Sequence, residues 1–236
     1  MLLRSLALVG ALSTGHACVA EGEYDADVDY FPSKLASDYA TGWEVTYHKA
    51  YKVIDVGGTK IVAYQCGTPE PTVDGATVTV QIPFESVAVM STTYVPFFEL
   101  IGYRQAIKGV SGTDTVSSPC LRDAIAAGDV SNIGSENWAP SISDINAVGA
   151  DAVFASAWDV GNNLAGIEGA AIPVRESEEL TAIGSAEWLE YVALFLNAEE
   201  AASAHIAMVA SRIDVAEQAV QDTLLLEGTR RKSVLW

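Results

Sequence analysis

From Pro83 onward the chain alternates short apolar runs with segments of helical spacing, a rhythm that few folds accommodate. Helical stretches such as 92–101, 121–127 and 141–148 separate the runs, and a glycine follows each stretch. The runs are short and almost wholly apolar, which is typical of strands buried on both faces. Alternating units of this kind predict an α/β fold with a mostly parallel sheet flanked by helices. The runs occupy residues 86–90, 106–110, 130–133, 151–155 and 171–175.

The first part of the chain has the order of a secretion signal. Arg4 precedes the apolar run 6–12, and small residues follow up to Ala20, after which we expect cleavage. Residues 1–20 are therefore predicted to be a signal peptide, which sends the protein to a periplasm or out of the cell. Lipid attachment at Cys18 is an open alternative, although the branched residue usual three positions upstream is absent. No later run reaches the roughly 18 apolar residues of a membrane helix.

Two segments lie between the signal and the α/β series. Residues 21–42 are acidic, contain several tyrosines and Pro32, and follow no period, so we expect a leader that lies over the surface or is partly disordered. Residues 43–83 alternate apolar and polar positions on both sides of Gly57-Gly58, which predicts an antiparallel β-hairpin region. The N-terminal α/β binding lobe is then expected over residues 84–197.

The last part of the chain is predicted to be helical. A first helix is expected over 186–196, and a second pattern over 198–228 contains no glycine or proline before Gly228. A helix of about 30 residues is roughly 45 Å long, more than one lobe needs, which indicates a strut reaching toward another body. Residues 229–236 have the pattern of the opening of a buried strand. We expect them to begin a second lobe that lies beyond this chain.

Charge and cysteine content narrow the function further. The sequence has 13 basic residues against 31 acidic ones, so phosphate-rich partners are repelled and nucleic-acid binding is disfavoured. Cleavage after Ala20 would remove one of the three cysteines and leave Cys66 and Cys120. In an oxidising compartment these two are expected either to form a disulfide or to remain as buried thiols.

Residues 86–102, Ser-Val-Ala-Val-Met-Ser-Thr-Thr-Tyr-Val-Pro-Phe-Phe-Glu-Leu-Ile-Gly, resemble a known family. They are similar to the first strand, loop and helix of the periplasmic iron-siderophore/cobalamin-binding proteins, which are solute-binding components of ABC transporters. Segments 106–111, 116–134 and 141–155 follow in the family's order, as do segments 172–174 and 184–190. The resemblance extends over roughly residues 82–236 and corresponds to the N-terminal lobe and linker helix of the family.

The resemblance implies a two-lobed receptor that captures an iron-siderophore, haem or cobalamin-like ligand for delivery to a membrane permease. It places Asp144 where family members carry an acid that docks against arginines of the permease. A first-turn acid stabilised by the helix dipole is the alternative role for this residue. Neither a resident cofactor nor a direct membrane span is implied.

Ligands of open α/β sheets bind outside the carboxyl ends of the strands. Hydroxyl groups in these loops suit an oxygen-rich ligand, and aromatic faces suit a large chelate or macrocycle. The alternatives are helix capping for Thr92 and Thr93, a place in the core for each aromatic residue, and simple solvation for Glu136. Few basic residues lie in these loops, which disfavours a strongly anionic ferric catecholate unless a second lobe supplies arginines. The candidate ligand-binding residues are Ser91, Thr92, Thr93, Tyr94, Ser111, Glu136, Trp138 and Trp158.

Catalytic and metal-binding patterns are missing from the sequence. The nearest approach to Gly-x-Ser-x-Gly, residues 109–113, ends in threonine, and no His-Glu-x-x-His, P-loop or dinucleotide motif occurs. His48 and His205 stand at unrelated positions without cysteine pairs, which argues against a zinc or manganese receptor. The sequence therefore predicts a binding protein and not an enzyme. A one-lobe secreted interaction protein is the alternative hypothesis, and an unrecognised hydrolase is a remote one.

Overall fold

The computed structural model of the protein describes residues 17–134 and 140–227. Its first sheet contains four strands in the order β1-β2-β3-β4, with β1, β2 and β3 antiparallel and β4 parallel to β3. Gly57 and Gly58 adopt φ of 58° and 84° in the turn between β2 and β3, a conformation that favours glycine. The predicted antiparallel hairpin is therefore present as β2 and β3, and β1 and β4 extend it to four strands. The strands are β1 Trp43–Tyr47, β2 Tyr51–Val56, β3 Thr59–Gln65 and β4 Val78–Ile82.

The second sheet is all parallel, as the alternating apolar runs predict, and the α/β fold class is confirmed. Its five strands lie in the order β7-β6-β5-β8-β9. Strand β5, at the centre, is completely buried, and four of the five residues of β8 are buried beside it. The strands are β5 Val87–Val89, β6 Ile107–Val110, β7 Ser131–Asn132, β8 Ala152–Ser156 and β9 Ala170–Val174.

Six α-helices accompany the sheets within the described residues. One of them, α2, begins as predicted, because Ser118 Oγ accepts the Leu121 N–H at 3.2 Å and Pro119 occupies the first turn. It ends at Gly128, which has φ of 83°. The helices are α1 Val95–Leu100, α2 Pro119–Ala127, α3 Ile142–Ala147, α4 Ala157–Asn162, α5 Ala182–Ala193 and α6 Glu199–Glu227.

Helix α5 lies between the two sheets and joins their cores. Every residue from 187 to 196 is buried, so the helix has no solvent face over this stretch. On one side Tyr191 lies 6.0 Å, ring to ring, from Trp43 of β1. On the other side Phe195 packs edge-on against Phe154 of β8, with 5.8 Å between ring centroids. A smaller apolar cluster, which includes Ile145 of α3 and Val153 of β8, covers the opposite face of the parallel sheet.

A buried lysine fixes the junction between the first sheet, α5 and α6. Lys52 Nζ donates to the Leu194 carbonyl at 2.6 Å and to Asn197 Oδ1 at 3.0 Å, and it forms an ion pair with Glu199. The ammonium also lies 4.4 Å from the ring centroid of Phe31. Both charged side chains are buried, Lys52 completely, so each depends on the other for compensation of its charge.

The leader is more tightly integrated than the sequence indicates. We expected residues 21–42 on the surface or partly disordered, whereas Phe31 and Leu35 are buried in the main core. Two carboxylates hold the backbone that follows, because the buried Glu187 accepts N–H groups of residues 38–40 and Glu179 accepts those of Thr41 and Gly42. These hydrogen bonds order a segment whose acidic, unpatterned composition suggested disorder.

The predicted pairing of Cys66 with Cys120 is wrong. Cys66 follows β3 and is bonded to Cys18, while Cys120 is a free thiol on the exposed side of α2. The prediction considered only the cysteines that remain after cleavage behind Ala20, and therefore left Cys18 out. In the structure residues 17–20 lie against the end of β3, where Val19 N–H donates to the Cys66 carbonyl at 2.9 Å.

The long C-terminal helix expected over 198–228 is present as α6, which contains 29 residues, Glu199–Glu227. Up to residue 223, where burial is described, the buried side chains of the helix lie at its beginning: Ala202 and Ile206 are buried, while Val215 and Val220 are 69% and 57% exposed. Within the described part of the chain, no helix is both long and apolar enough to cross a membrane. The expected start of a further strand at 229–236 lies outside the described residues.

We predict that Lys52→Met lowers the free energy of unfolding by about 3–5 kcal/mol, because Glu199 would remain buried without a counter-charge. Chemical denaturation measured by tryptophan fluorescence tests this. Lys49→Met is the matched control, since Lys49 pairs with Asp27 on the surface, and the expected loss there is under about 1 kcal/mol. Equal effects of the two substitutions would contradict the importance of the buried pair.

Glu190 of α5 provides a pH-dependent prediction. Burial, followed by the neighbouring charges of Glu187 and Asp38, raises its pKa from the ordinary 4.5 to about 7. The folded state therefore binds this proton more tightly than the unfolded state does, so the contribution to stability is complete below pH 4.5 and is lost as pH rises through about 7. Glu190→Gln should remove this loss and raise stability at pH 8 by about 2 kcal/mol.

Denaturation curves collected across this pH range test the prediction. Glu200→Gln, on the exposed first turn of α6, is the matched control and should keep the pH dependence of the parent protein. A Glu190→Gln protein whose stability falls with pH as steeply as that of the parent would contradict the role given to Glu190.

Candidate functional site

The order of the parallel strands creates a crevice at one edge of the sheet. From the central β5 the chain moves outward through β6 to β7, then returns to the other side of β5 and continues through β8 to β9. The loops that leave β5 and β8 therefore run in opposite directions. In open α/β sheets this switch point, outside the carboxyl ends of the strands, is where ligands bind.

The loop after β5 brings three hydroxyl groups to this crevice. Ser91 Oγ accepts the Thr93 N–H at 3.2 Å and lies 2.8 Å from Thr93 Oγ1. Tyr94 is the N-cap residue of α1, and no side chain caps this helix, so neither threonine has the N-capping role that was the alternative for it. Ser91 and Thr92 are partly exposed and Thr93 is exposed.

The segment after β8 brings an exposed indole to the same end of the sheet. Trp158 was expected in a loop, and the structure places it in the first turn of α4, which Ser156 caps by accepting the Asp159 N–H at 3.1 Å. Its side chain is 66% exposed, whereas Trp43 and Trp188 are buried in the core. An exposed tryptophan in a rigid first turn offers an apolar face for a ligand to stack on.

Tyr94 and Ser111 lie beneath the crevice and do not line it. Tyr94 is 4% exposed and belongs to the main core. Its pKa is raised, mainly because the side chain is buried and to a lesser extent because Glu176 and Asp159 are negatively charged. Ser111 is 2% exposed and is covered by Gly134, at which a Cβ would come within 2.3 Å of the serine Oγ. Both residues lie at the carboxyl ends of the strands, as their positions in the sequence predict, but the packing around each of them determines how deeply it is buried.

Glu176 is a member of the site that sequence reasoning missed. It lies two residues after the end of β9, and its Oε1 accepts the Thr93 Oγ1 hydrogen at 3.0 Å. This bond passes over the end of β8, since β8 separates β5 from β9 in the sheet. The one available signal was an acid directly after the last predicted strand, at the edge where ligands bind.

The described rim of the crevice is acidic. Asp159 accepts hydrogen bonds from Ser156 Oγ at 2.7 Å and Asn163 Nδ2 at 2.8 Å, so its side chain is held in position next to Trp158. Among the described residues that follow β5, β6, β8 and β9 at this edge, Arg175 is the basic side chain. Arg175 is engaged elsewhere: it bonds Glu178 at 2.6 Å and lines a cavity of about 380 Å³ between the two sheets.

The remaining candidates fall in three places. Glu136 and Trp138 lie outside the described residues. Asp144 is exposed in the first turn of α3, and its side chain has no resolved hydrogen bond or ion pair among the described residues. His48 stacks on Tyr51 with 4.3 Å between ring centroids. In residues 17–134 and 140–227 no group of three or more histidine, cysteine or acidic side chains is placed to hold a metal ion.

No protein-family model matches this chain, and no curated protein matches its sequence. Solved structures do match, among them the substrate-binding protein of an iron-uptake ABC transporter from Streptococcus pneumoniae. That match has 15% sequence identity and a TM-score of 0.43, and it covers 64% of this chain and 50% of the other.

Two further matches are of the same class. A petrobactin-binding protein from Bacillus subtilis is 13% identical with a TM-score of 0.49, covering 66% of this chain and 55% of the other. A possible iron-binding, periplasmic solute-binding protein from Staphylococcus epidermidis is 11% identical with a TM-score of 0.45, covering 59% and 52%. The chain thus spans about half the length of the solved structures that it matches. Likeness at this level identifies neither a ligand nor an activity for this chain.

Proposed function

We propose that this lobe forms one wall of a cleft that captures a chelated-iron or corrinoid-type ligand for delivery to a membrane transporter. The observation that carries the proposal is that the β5 hydroxyl loop and the exposed indole of Trp158 follow the two neighbouring strands of the topological switch point. A flat apolar face and a row of hydroxyl groups match the two surfaces of a large, oxygen-rich chelate. In this proposal no bond is made or broken.

The two segments offer different kinds of contact to a ligand, which supports the proposal. Ser91, Thr92 and Thr93 can donate to ligand oxygens or accept from ligand hydroxyls. Trp158 supplies stacking area while its first-turn position restricts its backbone. Iron enters the cleft inside its chelator, and the protein contacts the oxygens and apolar surface of that chelator. Tyr94 and Ser111 contribute by supporting the floor.

The charge of the rim indicates which chelates fit. Glu176 and Asp159 flank the crevice, and the guanidinium of Arg175 is bound to Glu178. Carboxylates at the rim of a binding crevice repel an anionic complex and favour a cationic one. Three hydroxamates neutralise ferric iron, whereas three catecholates leave the complex strongly negative. We therefore place neutral or cationic ferric hydroxamates and cobalamin ahead of haem and ferric catecholates as ligands.

Asp144 is proposed as the contact with the transporter. It is exposed near the start of α3, and the helix dipole stabilises a carboxylate in this position. An exposed carboxylate without a partner in the described fold remains available to an arginine of a membrane permease.

We predict that the purified chain binds a ferric trihydroxamate at least about 10-fold more tightly than a ferric tris-catecholate, because the acidic rim repels the anion. Titration followed by quenching of tryptophan fluorescence tests this, with cobalamin and haem as further ligands. Trp158→Ala should weaken the preferred complex by about 10-fold, measured by calorimetry because the substitution removes one of the tryptophans whose fluorescence is followed.

Tyr24→Ala is the matched control, since Tyr24 is also an exposed aromatic residue but lies in the leader, and it should change the affinity less than about 2-fold. Tighter binding of the catecholate would contradict the charge argument but not the proposed site. Absence of binding to all four ligands, or equal effects of the two alanine substitutions, would contradict the proposed site and favour a secreted interaction protein.

A further inference from the structure

The segment around Cys18 is built into the fold. Its sulfur is bonded to Cys66, and the next residue, Val19, donates its N–H to the Cys66 carbonyl at 2.9 Å. Gly67, with φ of 80°, makes room for this segment, because a Cβ at that position would lie 2.0 Å from the Val19 carbonyl oxygen. A disulfide, a backbone hydrogen bond and a glycine that leaves space for the segment all concern residues 18 and 19.

Cleavage after Ala20 would remove these contacts. The Cys66 side chain, only 5% exposed, would be left as an unpaired thiol next to a cavity of about 320 Å³ that Cys18 now helps to line. The cross-link between positions 48 residues apart would also be lost, together with its restriction of the unfolded chain. Retention of Cys18 avoids both effects.

The sequence in front of Cys18 offers another cleavage position. Gly15 and Ala17 are small residues at the third and first positions before Cys18, the arrangement that signal proteases require. Ala17 and Cys18 are exposed in the folded chain. We propose that the secretion signal is cleaved between Ala17 and Cys18, and that Cys18 is retained as the first residue of the mature protein, bonded to Cys66. The proposal rests on the predicted secretion signal and is independent of the ligand.

Both chemical steps balance. Water adds across the Ala17–Cys18 amide and gives a carboxylate on Ala17 and a free amine on Cys18. The thiols of Cys18 and Cys66 then lose two protons and two electrons to the disulfide of a secretory thiol–disulfide oxidoreductase, which is reduced to its dithiol. Because Cys18 has a single sulfur atom, this bond excludes a lipid thioether at the same residue.

Expression of the whole chain with its own leader in a secreting bacterial host tests the proposal. The intact mass of the secreted protein should correspond to residues 18–236 with one disulfide, and alkylation without reduction should label one cysteine, Cys120. A mature chain that begins at Glu21, a lipid on Cys18, two labelled cysteines or an uncleaved leader would each overturn it.

Two matched pairs of variants sharpen the test. Ala17→Glu should abolish normal processing and accumulate the precursor, whereas Ala20→Glu should be processed like the parent. The reverse result would return the cleavage site to Ala20. Cys18→Ser should raise the number of alkylated cysteines from one to two, while Cys120→Ser should reduce it to none, and equal labelling of these two variants would contradict the Cys18–Cys66 bond.

Discussion

The buried ammonium of Lys52 joins parts of the protein that are far apart in the sequence. Lys52 lies on a strand of the first sheet. Its ammonium donates to the carbonyl of Leu194, the C-cap residue of α5, and pairs with Glu199 at the start of α6. The turn between these helices requires a left-handed residue, Asn197, whose side chain bonds both Lys52 and Gln65. Removing one member would leave a buried charge or polar group without compensation, so the junction has one stable arrangement.

The geometry of the crevice follows from this junction. With its end held by Lys52, α5 is fixed between the sheets. Tyr191 of α5 contacts Trp43 of β1, and Phe195, two residues beyond the helix, contacts Phe154 of β8. These contacts join the two sheets in one buried core, to which β5 and β8 contribute residues. The bond between Thr93 and Glu176 adds a polar link across the rim. A site built on rigid elements loses little entropy when it binds a bulky ligand.

Periodicity made the fold predictable, because buried parallel strands and covering helices impose different spacings on apolar residues. The cap of α2 was equally visible, since Ser118 and Pro119 act on their own neighbours. Contacts between distant residues were not: the bond between Cys18 and Cys66 joins two segments that no local pattern relates. Helix α4 was missed because none of its six residues is buried, so no apolar spacing marks it in the sequence, and its start depends on the Ser156 cap.

The same distinction explains the candidate site. Strand-end position correctly brought hydroxyl and aromatic residues to one edge of the sheet, since carboxyl ends of parallel strands share an edge. It did not show that Tyr94 and Ser111 are buried beneath that edge, because depth depends on the packing of α1 and of Gly134. Glu176 escaped notice because its role depends on Thr93, which lies far away in the sequence and two strands away in the sheet.

Nuclear magnetic resonance gives the most direct test of a ligand site at the switch point. Gallium can replace iron in a neutral trihydroxamate without paramagnetic broadening, so backbone amide shifts of the labelled chain can be followed to high ligand concentration. The account predicts that the largest shifts occur at residues 91–94 and 156–160, with smaller ones near Glu176. Shifts confined to the opposite edge of the sheet, or no saturable shifts at any concentration, would contradict it.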